Sequence, residues 1–198
     1  RNLSVLSAHK TMPQAIRQLL GNGSGIDALM CPGHVATIIG AEAFDFVADE
    51  LKLPAAVAGF EAYDIMAALL CILNMLKNGE LKCVNMYPRA VTRHGNKEAL
   101  SLLYKVFEPC DAVWRGLGEI GGSGLGIKSQ YKYFDAMHRF DIRPADIKEA
   151  AGCICASILC GKSMPTDCVN FGRGCTPDRP LGPCMVSAEG SCAAYYKL

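Results

Sequence analysis

Several features that would point directly to a function are scarce in this chain of 198 residues. It has one tryptophan, four histidines and a formal net charge of +1, so no strongly basic surface indicates a nucleic-acid or anionic-membrane partner. No apolar run approaches the roughly 20 residues that a membrane-spanning helix needs. Hydrophobic residues make up 51% and charged residues 20%, which predicts a chain that folds around a core.

The cysteines are unevenly distributed. The chain has 11, and seven of them fall between positions 153 and 198. Disulfide frameworks are typical of small secreted domains without a sufficient core, whereas this chain is long enough to build one. The pattern therefore favours a reducing compartment with metal or redox chemistry over a disulfide framework, which remains the alternative.

Short β-like runs alternate with helical stretches through the first three quarters of the chain. Thr11 and Asn96 are placed to begin helices, and Gly79 is placed to end one. This alternation predicts an α/β fold, a Rossmann-like layer of parallel strands joined by crossover helices. The predicted strands cover 3–8, 26–31, 53–60, 81–87 and 112–118.

The pattern changes near position 145. A short helix is predicted over 141–150, and from 153 onward four prolines and five glycines replace the apolar periodicity. We therefore expect an α/β domain over 1–145 and a small, loop-rich, cysteine-rich domain over 146–198. A segment with so few large apolar residues needs something to hold it, and a metal bound by thiolates would do so.

Cysteine spacing bears on which metal this is. The seven cysteines begin as C-x-C and continue with gaps of 4, 7, 6, 8 and 7 residues. Zinc sites usually gather their ligands in C-x2–4-C pairs, whereas wide single spacings suit an iron–sulfur cluster. A cluster is favoured, with zinc or inert buried thiols as the alternatives. Four ligands leave three thiols, two of which could form a redox dithiol. The spacing does not say which four bind.

Two further motifs have both a functional and a structural interpretation. In "CPGH", Cys31 and His34 follow a predicted strand, where α/β proteins place their chemistry, and could be a nucleophile with its base or a metal pair. The structural interpretation is a turn with a buried cysteine. The motif "GLGEIG" (116–121) matches G-x-G-x-x-G, but "GSGLG" follows where a helix should begin, so we expect a turning loop and no dinucleotide site.

The segments "LMCPGHVATIIG", "VAGFEAYDIM", "WRGLGEIGGSGL" and "CTPDRPLGPCMVSAEGSCAAYY" closely resemble the HypD family of hydrogenase maturation factors. The resemblance runs the length of the chain, which is similar to the C-terminal half of the family protein. It implies one of the family's two α/β domains followed by a [4Fe–4S] domain. The chain departs from the family pattern at Met86, Pro88, Gly121 and Ala156.

The resemblance also implies roles for individual residues. The cluster ligands would be Cys153, Cys168, Cys175 and Cys192. Cys155 and Cys184 would be a redox dithiol beside the cluster, and Cys160 would have no assigned role. Cys31 and His34 would face a cleft between the two α/β domains, with Glu61 and Asp64 near it.

The function that this resemblance implies is hydrogenase maturation. The protein would be a cytoplasmic scaffold and electron-transfer protein that helps to assemble the Fe(CN)2CO unit of [NiFe]-hydrogenases. Its partners would be a HypC-type small chaperone and a HypE-type cyanide donor. Fe(CN)2CO would be held only transiently, and by a cysteine of the half that this chain does not match. Two alternatives remain, a cluster-linked protein disulfide reductase and a structural zinc module.

Overall fold

The computed structural model describes residues 2–21, 23–143 and 150–198. The chain forms two compact units, which we call the sheet unit (Ile26–Glu108) and the cysteine unit (Arg1–Gly25 with Pro109–Leu198). The predicted domain boundary near 145 lies outside the described residues, as does most of the helix predicted over 141–150. Both stay predictions.

The sheet unit is built on three parallel strands that lie in chain order. These are β1 (Leu29–Pro32), β2 (Ala55–Ala58) and β3 (Cys83–Asn85). All four residues of β2 are buried, as expected for the central strand of a parallel sheet that is covered on both faces. The predicted strands at 26–31, 53–60 and 81–87 are confirmed with shorter bounds, and the unit has a mixed α/β fold.

Helices connect and cover these strands. They are α2 (Gly33–Ile39), α3 (Phe46–Asp49), α4 (Ala62–Asn78) and α5 (Lys97–Val106). Helix α4 crosses from β2 to β3 and ends at Gly79, as predicted. The φ of Gly79 is 68°, a left-handed conformation. The Asn96 side chain accepts a hydrogen bond from the Ala99 amide at 3.0 Å, so the predicted cap of α5 is confirmed.

An apolar core forms where α4 packs on the sheet. Phe44, Val47 and Val57 are fully buried, and Ile72 and Met75 of α4 pack on the face of β2. This core holds the ends of the three strands in fixed positions, and the carboxyl ends of parallel strands are where α/β folds place functional side chains.

The cysteine unit begins with α1 (Met12–Leu20), which follows Thr11 as predicted. The strand predicted over 3–8 is wrong. Only Val5 pairs there, through one bridge to Asp135, and the Ser7 hydroxyl donates to the Leu125 carbonyl at 2.6 Å. The hydroxyl thus occupies the Leu125 carbonyl oxygen, which a backbone N–H of an adjoining strand could otherwise use.

A hairpin follows, formed by β4 (Phe107–Trp114) and β5 (Gly118–Ile127), and all of it except the first two residues of β4 belongs to the cysteine unit. The prediction that 112–118 is a strand of the parallel layer is wrong, because β4 starts earlier and pairs with β5 in a separate sheet. Three residues join the two strands, and only antiparallel strands can be joined so tightly. The "GLGEIG" motif covers the turn and the start of β5, and no helix begins within it, so the helix N-terminus that would hold a pyrophosphate is not found at this motif.

Beyond the hairpin lie α6 (Ala136–Arg139), α7 (Cys155–Leu159), α8 (Pro183–Val186) and α9 (Ser191–Tyr196). Turns make up most of the remainder of 150–198. Four of its seven buried core residues are cysteines, namely Cys155, Cys175, Cys184 and Cys192, and these pack with Ile158, Met185 and Ala193. Sulfur atoms therefore form much of this small core.

Within the described residues, every helix is too short or too polar to cross a membrane.

Candidate metal centre

Five cysteines line one cavity in the segment 150–198. They are Cys153, Cys155, Cys168, Cys175 and Cys192. The rest of the lining is apolar side chains and one glycine: Ile154, Ile158, Phe171, Met185 and Gly182. The five thiols come from four separate stretches of chain. No other side chain in the lining is a strong metal ligand.

Short local structures hold these cysteines in place. Cys155 begins α7, and Cys192 lies in the first turn of α9. Cys168 follows a single 3-10 turn, and its Sγ lies 3.5 Å from the Gly152 carbonyl oxygen. The Leu181 amide donates to Cys175 Sγ at 3.3 Å. Amide donors of this kind stabilise a thiolate and so favour metal binding by the sulfur.

Cys155 lies between two other thiols. Its Sγ is 3.4 Å from Cys153 Sγ. Cys184 Sγ is 4.0 Å from the Cys155 carbonyl oxygen, and the Cys184 thiol also interacts with the thiols of Cys155 and Cys192. The two cysteines that resemblance assigns to a dithiol are therefore neighbours, and one of them touches the thiol of an assigned ligand.

Gly182 is a residue that the sequence did not single out. A Cβ atom at this position would lie 2.5 Å from Cys153 Sγ and 2.6 Å from Cys155 Sγ. Those separations are too short for any side chain, so the close approach of the two sulfurs to the backbone requires glycine. In the sequence, the feature that could have indicated this role was the position of Gly182 in "GPC", two residues before Cys184.

Burial shifts the proton equilibria of several of these thiols. It raises the pKa of Cys153 to about 11, and it also raises the pKa values of Cys184 and Cys192. The cause is the same in each case, since an apolar surround disfavours the thiolate. Without a bound cation these sulfurs are protonated at neutral pH.

Cys160 and Cys110 stand apart from this group. Cys160 follows α7, but its Sγ lies 3.5 Å from the Leu19 carbonyl oxygen and does not line the cavity. Cys110 is exposed on β4.

The donor set can be tested against the groups it could hold. Across the described ranges, no three or more His, Cys, Asp or Glu side chains converge on a point where one metal ion would bind. A zinc ion needs thiolates at about 2.3 Å from one centre. In an iron–sulfur cluster each cysteine binds a different iron of a larger cage. Cysteines spread around a cavity fit the second arrangement.

The carboxyl end of β1 carries the "CPGH" motif. Cys31 is 1% exposed, and a hydrogen bond with Cys83, together with burial, raises its pKa. His34 is exposed at the start of α2, and its ring lies 4.5 Å from that of Phe60, which follows β2. Burial of Cys31 matches the structural interpretation of the motif, while its role as a nucleophile stays a prediction.

A second feature of this edge is an ion pair that the sequence did not indicate. Asp64, 2% exposed in the first turn of α4, accepts from both terminal nitrogens of Arg89 at 2.5 and 2.7 Å. Arg89 also donates to Glu61 at 3.1 Å and covers the ring of Tyr87. A Cβ at Gly59 would collide with the Asp64 carboxylate. The guanidinium lowers the pKa of Asp64.

This ion pair joins side chains that follow two different strands of the sheet. Glu61 and Asp64 follow β2, and Arg89 follows β3. The bidentate contact fixes Arg89 on Asp64 in both distance and angle. A single contact from Nη2 then reaches the exposed carboxylate of Glu61 at the sheet edge. The signal that could have identified Arg89 was its place in "NMYPR", directly after a strand.

Comparison with known proteins gives the family. A HypD family model, described as "Hydrogenase formation hypA family", matches residues 1–198. The Hydrogenase maturation factor HypD of Rhodobacter capsulatus is 41% identical over 202 residues, which cover 99% of this chain and 54% of that protein. The factor of the same name from Cupriavidus necator is 40% identical over 203 residues, covering 98% and 54%.

The chain thus spans about half the length of the curated relatives it matches. The family model covers the cysteine-lined cavity and the sheet edge alike. This chain belongs to the HypD family.

Proposed function

We propose that this chain acts in [NiFe]-hydrogenase maturation and holds a [4Fe–4S] cluster on Cys153, Cys168, Cys175 and Cys192. The observation that carries the proposal is that all four line one cavity with apolar walls. Thiolate sulfur is the usual ligand of such clusters, and an apolar wall limits access of water and oxidants. The relatives that match are named hydrogenase maturation factors.

The remaining two thiols of the centre supply the second part of the proposal. Cys155 and Cys184 are neighbours, and closing them into a disulfide releases two electrons and two protons. The four ligands would hold a cluster beside this dithiol, and such a group would exchange the two electrons one at a time. Both thiols contact the ligand set, Cys155 through Cys153 and Cys184 through Cys192.

Scaffolding is the third part. In a complete HypD-type factor this chain would support assembly of the Fe(CN)2CO unit, with a HypC-type chaperone and a HypE-type cyanide donor as partners in the cytoplasm. The sheet edge would contribute His34, Glu61 and Asp64, and Arg89 would keep the two carboxylates in place. Cys31 would act there only after a movement that exposes its thiol.

One alternative keeps the same residues. A cluster-linked protein disulfide reductase would use the Cys155–Cys184 pair on a protein substrate, and the adjacency of the two thiols favours it as the second candidate. The two functions differ in the partner. Reduction of a disulfide-bonded thioredoxin-like protein, without binding of a small maturation chaperone, would favour the reductase.

Substitution of single cysteines tests the ligand set. After anaerobic reconstitution with iron and sulfide, Cys168→Ala should lose the visible absorption and the iron of the cluster. Cys160→Ala is the matched control, because Cys160 belongs to the same segment and does not line the cavity. An unchanged cluster in Cys168→Ala, or an equal loss in Cys160→Ala, would refute the assignment.

Mass mapping tests the dithiol separately. Mild oxidation of the protein should produce a Cys155–Cys184 disulfide, detected as a linked peptide that disappears on reduction. Pairing of Cys160 with either cysteine would contradict this part of the proposal and leave the ligand set unaffected.

A further inference from the structure

We propose that the turn between β4 and β5 forms one wall of a small anion-binding pocket beside Cys155, with Arg115 as its cationic group. The pocket lies within the cysteine unit. Its walls include Arg115 and Gly116 from the turn, Cys153 and Cys155 from the cysteine centre, and the Gly182–Pro183 backbone. This turn belongs to the "WRGLGEIGG" segment. Neither dinucleotide binding nor the proposed cluster gives this segment a role.

The turn is held firmly in position. The Trp114 Nε1 atom donates to the hydroxyl of buried Ser123 at 2.7 Å, which anchors the end of β4. Gly116 has a φ of 86°, and a Cβ there would lie 3.7 Å from the Cys155 Cβ and 3.6 Å from Pro183. The backbone of the turn thus packs against the cysteine centre, and the left-handed conformation explains the glycine.

Arg115 places its charge in the wall. Its Nη2 atom donates to the Leu181 carbonyl at 2.8 Å, and the Leu181 amide donates to Cys175. A guanidinium carries five N–H donors in a fixed plane. The contact with Leu181 therefore orients the group and leaves further donors available for a ligand.

The lining determines which ligand fits. Among the described residues, no acidic side chain lines this pocket, so the positive charge of Arg115 has no carboxylate partner there. The cavity volume is about 30 Å³, which is room for one or two water molecules and excludes a nucleotide. The pocket therefore admits only the head of one carboxylate group, with the remainder of the anion outside it next to the sulfur of Cys155.

This inference adds a recognition site to the proposed function and does not depend on it, because the pocket and its thiols belong to the metal-free chain. It can therefore be tested without iron. Iodoacetate and iodoacetamide both alkylate thiolates with loss of iodide, and they differ mainly in charge. The ratio of their rates at one cysteine cancels the thiolate fraction and reports the local potential.

The experiment measures this ratio at Cys155 and Cys153 by mass spectrometry at low ionic strength, normalised to exposed Cys110 in the same chain. We expect the normalised preference for iodoacetate to fall about three- to tenfold in Arg115→Gln. It should remain largely intact in Arg115→Lys, which keeps the charge. Arg173→Gln, which removes an exposed arginine outside the pocket, is the control and should not change it.

Added salt should reduce the wild-type preference toward that of Arg115→Gln, because exposed charges are screened within about 10 Å at 0.1 M. Two results would overturn the inference. One is a wild-type ratio at Cys155 equal to that at Cys110. The other is an equal rise of the iodoacetate and iodoacetamide rates in Arg115→Gln with no change in their ratio. That result would show that Arg115 only shields the thiol from both reagents. Either result would leave the cluster proposal unaffected.

Discussion

The sheet unit and the segment 150–198 both enclose a core, but different atoms form the two. In the sheet unit the core is Phe44, Val47, Val57 and Ile72, side chains whose burial stabilises a fold without help. In 150–198 four of the seven residues of the buried cluster are cysteines. A cysteine buries little area, so this segment should depend on what its sulfurs bind, whereas the sheet unit should not.

The largest expected difference follows from removing the metal. In protein loaded with iron and sulfide, chelation should increase amide hydrogen exchange in α7 and α9 by about a hundredfold or more, because opening no longer requires release of the ligand. Exchange in β2 should stay the same. Equal changes in both regions, or none in α7 and α9, would contradict the proposed division.

A substitution in the sheet unit tests the other half of the comparison. Ile72→Ala should lower the free energy of unfolding by about 2–5 kcal/mol, because Ile72 is 6% exposed and packs on β2. Leu73→Ala is the matched control, since Leu73 is 53% exposed, and it should cost less than about 0.5 kcal/mol. Denaturant unfolding measures both. Equal costs would show that α4 packs through another face.

A smaller effect is expected at the glycine of the cysteine centre. Gly182→Ala should destabilise 150–198 by about 1–3 kcal/mol and displace the Cys153 and Cys155 sulfurs, since the added methyl overlaps both. In Gly174→Ala the methyl would meet its nearest atoms at 3.7 and 3.8 Å, which is ordinary contact. Hydrogen exchange of α7 and cluster reconstitution report the effect. Indistinguishable variants would refute the close packing at Gly182.

The smallest effect depends on pH. Arg89 lowers the pKa of Asp64, so the ion pair stabilises the folded state above the unfolded pKa of about 3.9 and loses this effect as pH falls through the lower folded value. Asp64→Asn should therefore lower the melting temperature at pH 7 and have little effect near pH 2. A difference from wild type that persists in acid would assign the loss to packing. Glu61→Gln, which removes the exposed carboxylate, should change the melting temperature less than Asp64→Asn does.

Sequence patterns predicted the sheet unit well because its signals are local. A continuous apolar run at 53–60 became β2. Gly79 ends a helix through its left-handed backbone, and Asn96 begins one through its side-chain cap. The run at 3–8 carries the same type of signal, yet it pairs at Val5 alone. Whether such a run becomes a strand depends on a partner that is distant in the sequence.

The residues of the cysteine centre could be predicted from the sequence only in part. Spacing indicated a cluster but not its ligands, and the choice of Cys153, Cys168, Cys175 and Cys192 came from family resemblance. Gly182, Arg89 and Arg115 were missed as site residues because each acts through contacts that only the folded chain creates. A glycine under two sulfurs has the same sequence signature as a glycine in any turn.

The central claim is that the cysteine-lined cavity holds an iron–sulfur cluster. Anaerobic purification, with iron, zinc and acid-labile sulfide counted per chain beside a visible spectrum, tests it most directly. We predict about four irons and four sulfides per chain with broad charge-transfer absorption. Stoichiometric zinc without sulfide would contradict the claim and leave a structural metal module in its place.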